Sequence, residues 1–291
     1  MVVIDDFSTG LKSNLKNLNC EIRELSIADQ EAVSQAISGS DYVFHLGARG
    51  SVPRSIKNPR ATFEVNTRGT LNVLDAVRAT GASLAFSSSS SVYGSNPTLP
   101  KSEKMWMAPL TPYAASKLAG EALVQSYGAS FGIPVITYRF FNIFGPWQRP
   151  DHDYAAVIPK WIWKALHSET IEVFGDGEQT RDFTFIDTVV NTLIDGMERS
   201  LTHSIPINLA FGNRLSLNDL LAMLKSHIPG LTWKNVESRP GDVRDSQNDP
   251  TLVRNLFPTI TPTEFELGLE KTLNWLSEQG QLVAGQSIDS N

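Results

Sequence analysis

Tyr113 and Lys117 stand four residues apart in the segment Pro112-Tyr113-Ala114-Ala115-Ser116-Lys117. On a helix, that spacing puts a phenol and an ammonium on one face. A cation beside a phenol favours the phenolate and pulls its pKa down from about 10. Tyr113 is therefore expected to be tuned toward the working pH, where it can take a proton from a sugar or alcohol hydroxyl. Upstream runs an unbroken series of five serines, Ser87 to Ser91, one of whose hydroxyls can relay or anchor that proton. The plainer reading of the series is a polar strand end whose hydroxyls bond only backbone. A Y-x-x-x-K pair alone is common by chance, and the serines upstream give it weight.

The elements that must position these groups alternate. Val2 to Ile4 and Asp41 to Leu46 read as strands, with a short helix over Gln30 to Ile37 between them. Helical spacing runs from Pro59 to Ala79 and stops near Gly81. Leu84 to Phe86 is a strand running into the serines, Tyr113 to Phe131 is a long helix, and Val135 to Tyr138 is the next strand. Strands alternating with helices imply a parallel sheet covered on both faces. Ligands of such sheets sit beyond the carboxyl ends of the strands, where Asp5, the serines and Asn142 fall. Further on, the pattern predicts helices over Val157 to Leu166, Phe183 to Met197 and Ser216 to Ser226, and strands over Ile171 to Phe174 and Ile207 to Ala210. The expected organisation is a sheet domain over residues 1–150, to which segments around 182–212 return. A smaller α/β lobe over 151–291 completes it, with a ligand cleft between the two.

The 291 residues carry a net charge of −6. No basic stripe points to nucleic acid or a membrane surface, so an anionic ligand would be held by a few local arginines. The lone cysteine, Cys20, can form neither an internal disulfide nor a Cys-rich metal site, which fits a reducing, cytoplasmic setting. No apolar run has membrane-spanning length, and the opening Met1-Val2-Val3-Ile4-Asp5 does not read as a signal peptide. The five histidines are scattered without metal-ligand spacing, and no metal is expected. His45 reads as a buried strand-end histidine, and Trp161 and Trp163 as packing.

Several segments in the same order resemble the extended short-chain dehydrogenase/reductases, in particular nucleotide-sugar 4-epimerases. These are Val2 to Gly10, His45-Leu46-Gly47-Ala48, Ser51 to Ser55, Ser87 to Gly94, the Tyr113/Lys117 motif, Arg139 to Asn142, Arg181-Asp182-Phe183 and Gly241 to Arg244. The resemblance implies an α/β, Rossmann-like doubly wound parallel sheet with a smaller C-terminal substrate lobe. It implies NAD as cofactor, a UDP-sugar as substrate and a homodimer built on the helices near 59–79 and 113–131. The family opens with a strand, a Gly-rich turn and a helix that cradle the dinucleotide pyrophosphate. This chain starts at what corresponds to the second strand. It is therefore expected to lack the first strand and helix, about 25 to 30 residues, and to bind NAD weakly.

Residue by residue, the resemblance makes Ser89, Tyr113 and Lys117 catalytic, with Ser88 the alternative to Ser89. It places Asp5, Asp6, Ser8, Ile27, Leu46, Ala48, Asn66, Ser87, Tyr113 and Lys117 at the cofactor, Asp5 on the ribose and Lys117 on the nicotinamide ribose. Asn66 could instead face solvent or bond backbone. It places Arg54, Ser89, Asn142, Val157, Arg181, Arg239, Asp242 and Ser246 at the substrate. Arg181 and Arg239 clamp the pyrophosphate, for which a planar guanidinium is suited, and Asp242 bonds the nucleotide ribose; surface salt bridges are the competing reading for these three. Arg54, on a loop after the third strand, contacts sugar or phosphate or is a surface residue. Ser246, being small, leaves room for an N-acetylated sugar. The implied reaction is 4-epimerisation of a UDP-sugar, UDP-glucose and UDP-galactose or their N-acetyl forms. A uronate epimerase stays open through Arg54, as does a truncated or catalytically impaired sugar-nucleotide binder that does not hold NAD. A 4,6-dehydratase or a decarboxylase would need acidic residues where Ser90-Ser91 stand.

Overall fold

The computed structural model describes residues 1–151, 155–237 and 244–285. In chain order the elements begin β1 (Val2–Asp5), β2 (Glu21–Glu24), α1 (Gln30–Ile37), β3 (Tyr42–His45), α2 (Val52–Lys57), α3 (Pro59–Phe63), α4 (Gly69–Thr80), β4 (Ser83–Ser89), α5 (Pro112–Phe131) and β5 (Val135–Phe140). They continue β6 (Asn142–Phe144), α6 (Val157–Leu166), β7 (Ile171–Phe174), β8 (Thr180–Phe185), α7 (Ile186–Glu198), β9 (Ile207–Leu209), β10 (Arg214–Ser216), α8 (Leu217–His227), β11 (Trp233–Val236), α9 (Thr251–Leu256) and α10 (Phe265–Gly285).

The chain divides into two compact units, the first comprising residues 1–98, 102–140 and 193–209 and the second 99–101, 141–192 and 210–291. In the first, β3, β4, β5 and β9 form a parallel sheet in that order, with Ser88 opposite Arg139 and Ser89 opposite Phe140. β1 and β2 form a separate parallel pair. The ladder does not run through from one to the other. Side chains join them instead. Ile4, Leu25 and Ile27 pack on the core made by Val33 and Ile37 of α1, Leu74 and Val77 of α4, and Leu84 and Phe86 of β4. Gly69 is needed at this seam, because a Cβ there would lie 2.7 Å from Ile27 Cγ1.

The helix that carries Tyr113 and Lys117 has well-defined ends. Thr111 caps it by accepting a hydrogen bond from Ala114 N–H, Pro112 occupies its first turn, and Gly132 closes it in the left-handed region at φ 69°. It lies flat on β4 because residue 120 is glycine, whose Cβ would stand 2.6 Å from the Phe86 ring.

The second unit holds two small sheets, β10-β8-β6 and β11-β7. Its core gathers Phe144, Phe183, Phe185, Leu220 and Phe265. The sequence pattern misplaces one boundary here. Phe183 to Phe185, expected as the start of a helix, is the end of strand β8. Residues 182–185 are all buried, so the strand lacks the polar alternation that would announce it. The expected single helix over 59–79 is α3 and α4 joined by a π-helical turn, Glu64–Arg68, and Arg54 sits within helix α2 rather than on a loop.

Candidate active site

Phe86 and Ser88, two apart on β4, both meet α5, where Gly120 receives the Phe86 ring and Glu121 the Ser88 hydroxyl. β4 then ends at Ser89, whose φ and ψ are still extended and whose hydroxyl accepts hydrogen bonds from Ser91 N–H at 3.2 Å and Ser91 Oγ at 2.9 Å. Ser89 also lies by the phenol of Tyr113, whose pKa it draws down. Ser88 is turned away, donating to Glu121 Oε1 at 2.5 Å. The two candidate serines are thus separated by geometry: Ser89 meets the tyrosine, and Ser88 belongs to a buried network.

Lys117 is 4% exposed. Its ammonium donates to the Ser87 carbonyl at 2.7 Å and lies 5.3 Å from the centre of the Phe86 ring. Burial lowers its pKa to about 8, against the attraction of Glu121, which raises it. The expected lowering of Tyr113 by Lys117 is not what the structure shows. Burial pushes the phenol up, and Ser89 is what draws it back. The lysine stem carries its charge to the Ser87 carbonyl rather than to the phenol. Tyr113 is a neutral phenol here, with Ser89 the neighbour that opposes the effect of burial.

The surroundings are built to hold this arrangement. His45, 3% exposed, bonds Thr70 Oγ1 at 2.9 Å through Nε2. Burial, aided by the Lys117 charge, lowers its pKa to about 3, so it is neutral. Ser87 donates to the His45 carbonyl at 3.2 Å. Asn66 is buried and committed: its Oδ1 accepts from Arg49 N–H at 2.7 Å, and its amide donates to Ser116 Oγ at 3.0 Å on α5. It sits in the π-helical turn, a feature frequent at functional sites. Of its competing readings, backbone bonding is the one seen.

The remaining expected cofactor residues lie at strand ends. Asp5 closes β1 and accepts from Phe7 N–H at 2.7 Å through Oδ1. A Cβ at position 10 would stand 3.1 Å from its Oδ2, so Gly10 leaves that oxygen uncovered. Asp6 is exposed and accepts from Ser8 N–H at 2.9 Å. Ile27 packs at the seam and its carbonyl accepts from Asn72 at 2.9 Å. Leu46 is exposed and Ala48 half-buried after β3.

In the second unit, β8 gathers several expected substrate residues. Asn142 donates to the Asp182 carbonyl at 3.2 Å. Arg181 donates to the carbonyls of Thr180 at 2.8 Å and Arg244 at 3.2 Å. Ser246 N–H donates to the Thr180 carbonyl at 3.1 Å. Val157 opens α6, half-buried against the core. Arg239 and Asp242 lie outside the described residues. Asp182 itself, fully buried, is pushed up to about 7 by burial, although backbone N–H groups of Asn248, Asn213 and Gly212 oppose the shift. Among the described residues no cluster could hold a metal ion, and no helix is long and apolar enough to cross a membrane. Cys20 is a half-buried free thiol.

Residues 1–210 match the model of the NAD dependent epimerase/dehydratase family. The chain belongs to that family. Its relatives include UDP-glucuronate 4-epimerase of Thermodesulfobacterium geofontis, 34% identical over 83% of this chain and 74% of that protein. A putative UDP-glucose 4-epimerase of Methanocaldococcus jannaschii is 30% identical over 97% of this chain and 92% of its own length. Among solved structures, UDP-N-acetylglucosamine 4-epimerase of Methanobrevibacter ruminantium, in complex with UDP-N-acetylmuramic acid, superposes with a TM-score of 0.90 at 33% identity. It covers 96% of this chain and 90% of that one.

As a member of this NAD-dependent family, the chain carries a donor set that fits the cofactor's sugar hydroxyls. An uncovered carboxylate oxygen stands at the end of β1, and an ammonium and a phenol stand on α5 beside the end of β4. Glu121 and Arg139 were missed as site residues in the sequence. Their signal was present: Glu121 continues the Tyr113, Lys117 spacing by four more residues, and Arg139 is a charge inside the apolar strand Val135–Phe140.

Proposed function

We propose that this protein interconverts UDP-sugars by 4-epimerisation. The observation that supports the reading is that Ser89 stands beside Tyr113 where β4 ends, with the buried cation Lys117 held on the Ser87 carbonyl two residues before. Asp5 and Lys117 would hold the ribose hydroxyls of NAD, which, when bound, accepts and returns a hydride at the sugar C4. Tyr113, once ionised, would take the proton of the 4-hydroxyl as the hydride leaves and give it back as the hydride returns, with Ser89 beside its oxygen, a general acid–base role worth about 10²- to 10⁴-fold in rate. His45, held neutral, adds no second charge beside Lys117. In the second unit, Asn142 and Arg181 would bind the nucleotide phosphates, with Arg239 and Asp242 assigned the phosphate and ribose roles by resemblance. Small Ser246 favours acceptance of N-acetylated sugars.

The test is incubation of the purified chain with NAD and, separately, UDP-glucose, UDP-N-acetylglucosamine and UDP-glucuronate, followed by NMR of the sugar anomeric protons. Appearance of the C4 epimer is the expected result. No epimer from any of the three, with NAD bound, refutes the reading. A UDP-uronate as substrate is the second reading, supported by the 34% identical UDP-glucuronate 4-epimerase. There Arg54 on α2 would receive the uronate carboxylate, and an Arg54→Met variant would lose the uronate while keeping the neutral sugars. If the chain binds a UDP-sugar but no NAD by calorimetry, it acts as a sugar-nucleotide binder instead. A homodimer formed through α4 and α5 is part of the proposal, and sedimentation at micromolar concentration checks it.

A further inference from the structure

Behind the serine strand end lies a buried polar network that the proposed reaction does not use directly. Glu121 and Arg139 form a two-pronged ion pair, with Arg139 Nε to Glu121 Oε1 and Arg139 Nη2 to Glu121 Oε2 both at 2.8 Å. Each side chain is 4% exposed. Arg139 Nη1 donates to the Tyr93 hydroxyl at 2.9 Å, and Tyr93 donates to Asn208 Oδ1 at 2.7 Å. Asn208 N–H in turn donates to Glu103 at 3.0 Å. A buried pair of this kind is weak evidence for stability, since well-packed apolar residues often serve as well. What distinguishes it is where it ends. Glu121 Oε1 also accepts the Ser88 hydroxyl, and Ser88 lies between Ser87, whose carbonyl holds Lys117, and Ser89, which lies by Tyr113.

We propose that Glu121, gripped by Arg139, is a positioning residue for the Ser89, Tyr113 and Lys117 set. It pins the Ser88 hydroxyl, and so the end of β4, and it supplies the negative charge that Lys117 faces inside the protein. The groups around Lys117 make this assignment specific. Glu121 and the neutral phenol Tyr113 share α5 with it, each four residues away, and the neutral His45 stands on β3. β4 offers the Phe86 ring and a carbonyl, and Arg139 on β5 is held on Glu121. Glu121 is thus the one carboxylate among the described residues that is seen to raise the proton affinity of Lys117. This inference rests on the epimerase reading for its use, but its test does not.

The test follows the Lys117 amine by ¹³C NMR of lysine-labelled, ligand-free protein, the signal assigned by its loss in Lys117→Met. Glu121→Gln is expected to lower the Lys117 midpoint by at least about half a pH unit, roughly a threefold larger acid dissociation constant. Glu121→Asp, which keeps the charge, restores most of it. If Glu121→Gln does not fold, Glu121→Gln with Arg139→Gln replaces the ion pair by two neutral amides and is expected to move the midpoint the same way. An unmoved midpoint in the folded variant overturns the proposal. In turnover assays, the high-pH limb of kcat should shift downward with the NMR midpoint while KM stays put. A wild-type chain that turns over no UDP-sugar would sink the functional reading and leave the NMR result to decide this one.

Discussion

Lys117 is a charge held in the interior, and that has a measurable thermodynamic signature. Its pKa is about 8 in the folded chain against 10.5 for the free side chain. In the pH range between these values the unfolded chain binds more protons than the folded one, so stability rises with pH. Below about pH 8 the folded protein bears the full cost. A shift of about 2.5 units at about 1.4 kcal/mol each gives roughly 3 kcal/mol. Replacing Lys117 by Met removes this term. It also leaves the Ser87 carbonyl without its donor, which costs about 1–3 kcal/mol at every pH. The net effect at one pH is therefore uninformative, but its change with pH is not. From about pH 7.5 to about 9.5, the stability of Lys117→Met relative to wild type is expected to fall by about 2 kcal/mol. Urea unfolding of both proteins across that range measures it, and other titrating groups cancel in the difference. A difference that stays constant with pH would show that Lys117 titrates normally, and the reasoning about the site's charge would be wrong.

Other expectations follow from the same geometry. Tyr113→Phe should lower kcat by about 10²-fold or more while leaving UDP-sugar affinity by calorimetry within about twofold. Gly94→Ala should unfold the protein or cost about 3 kcal/mol or more, because a Cβ there would lie 1.7 Å from the Ala108 carbonyl oxygen at φ 48°; chemical denaturation reads it. Asp182, raised to about 7 from 3.8, works in the opposite sense to Lys117: the folded state holds the extra proton, so its contribution weakens as pH rises from about 4 to 7. Relative to wild type, Asp182→Asn should therefore gain stability across that window, as thermal unfolding at a series of pH values would show.

Much of the first unit could be read from pattern alone, because its strands and helices obey simple periodicities and α5 begins with a threonine cap and a proline. The choice between Ser88 and Ser89 rested on resemblance, since neighbouring residues of one type carry no internal distinction. Only the partner across the space, Glu121 for one and Tyr113 for the other, separates them. The direction of the Tyr113 shift was misjudged for a related reason. Spacing of four fixes where two Cα atoms lie, not where a four-carbon stem delivers its charge, and Lys117 delivers it to a backbone carbonyl. β8 was misread because burial on both faces erased its alternation. Arg54 was misplaced because Ser51 caps a helix too short to show a period.

The two parallel strand groups of the first unit meet without sharing backbone hydrogen bonds. Asp5 on one side and Ser89 on the other are therefore kept in register by side-chain packing at Gly69 and by the Asn72 hydrogen bond to the Ile27 carbonyl, rather than by a continuous set of amides. Amide protons of Val3 and Ile22 should exchange with solvent sooner than those of Phe86 and Ile136, since opening the smaller pair leaves the larger sheet intact. The separation between the carboxylate proposed for one end of the dinucleotide and the hydroxyls proposed for the other can then breathe independently of the chemistry. A substitution such as Gly69→Ala, at the seam itself, would alter that span.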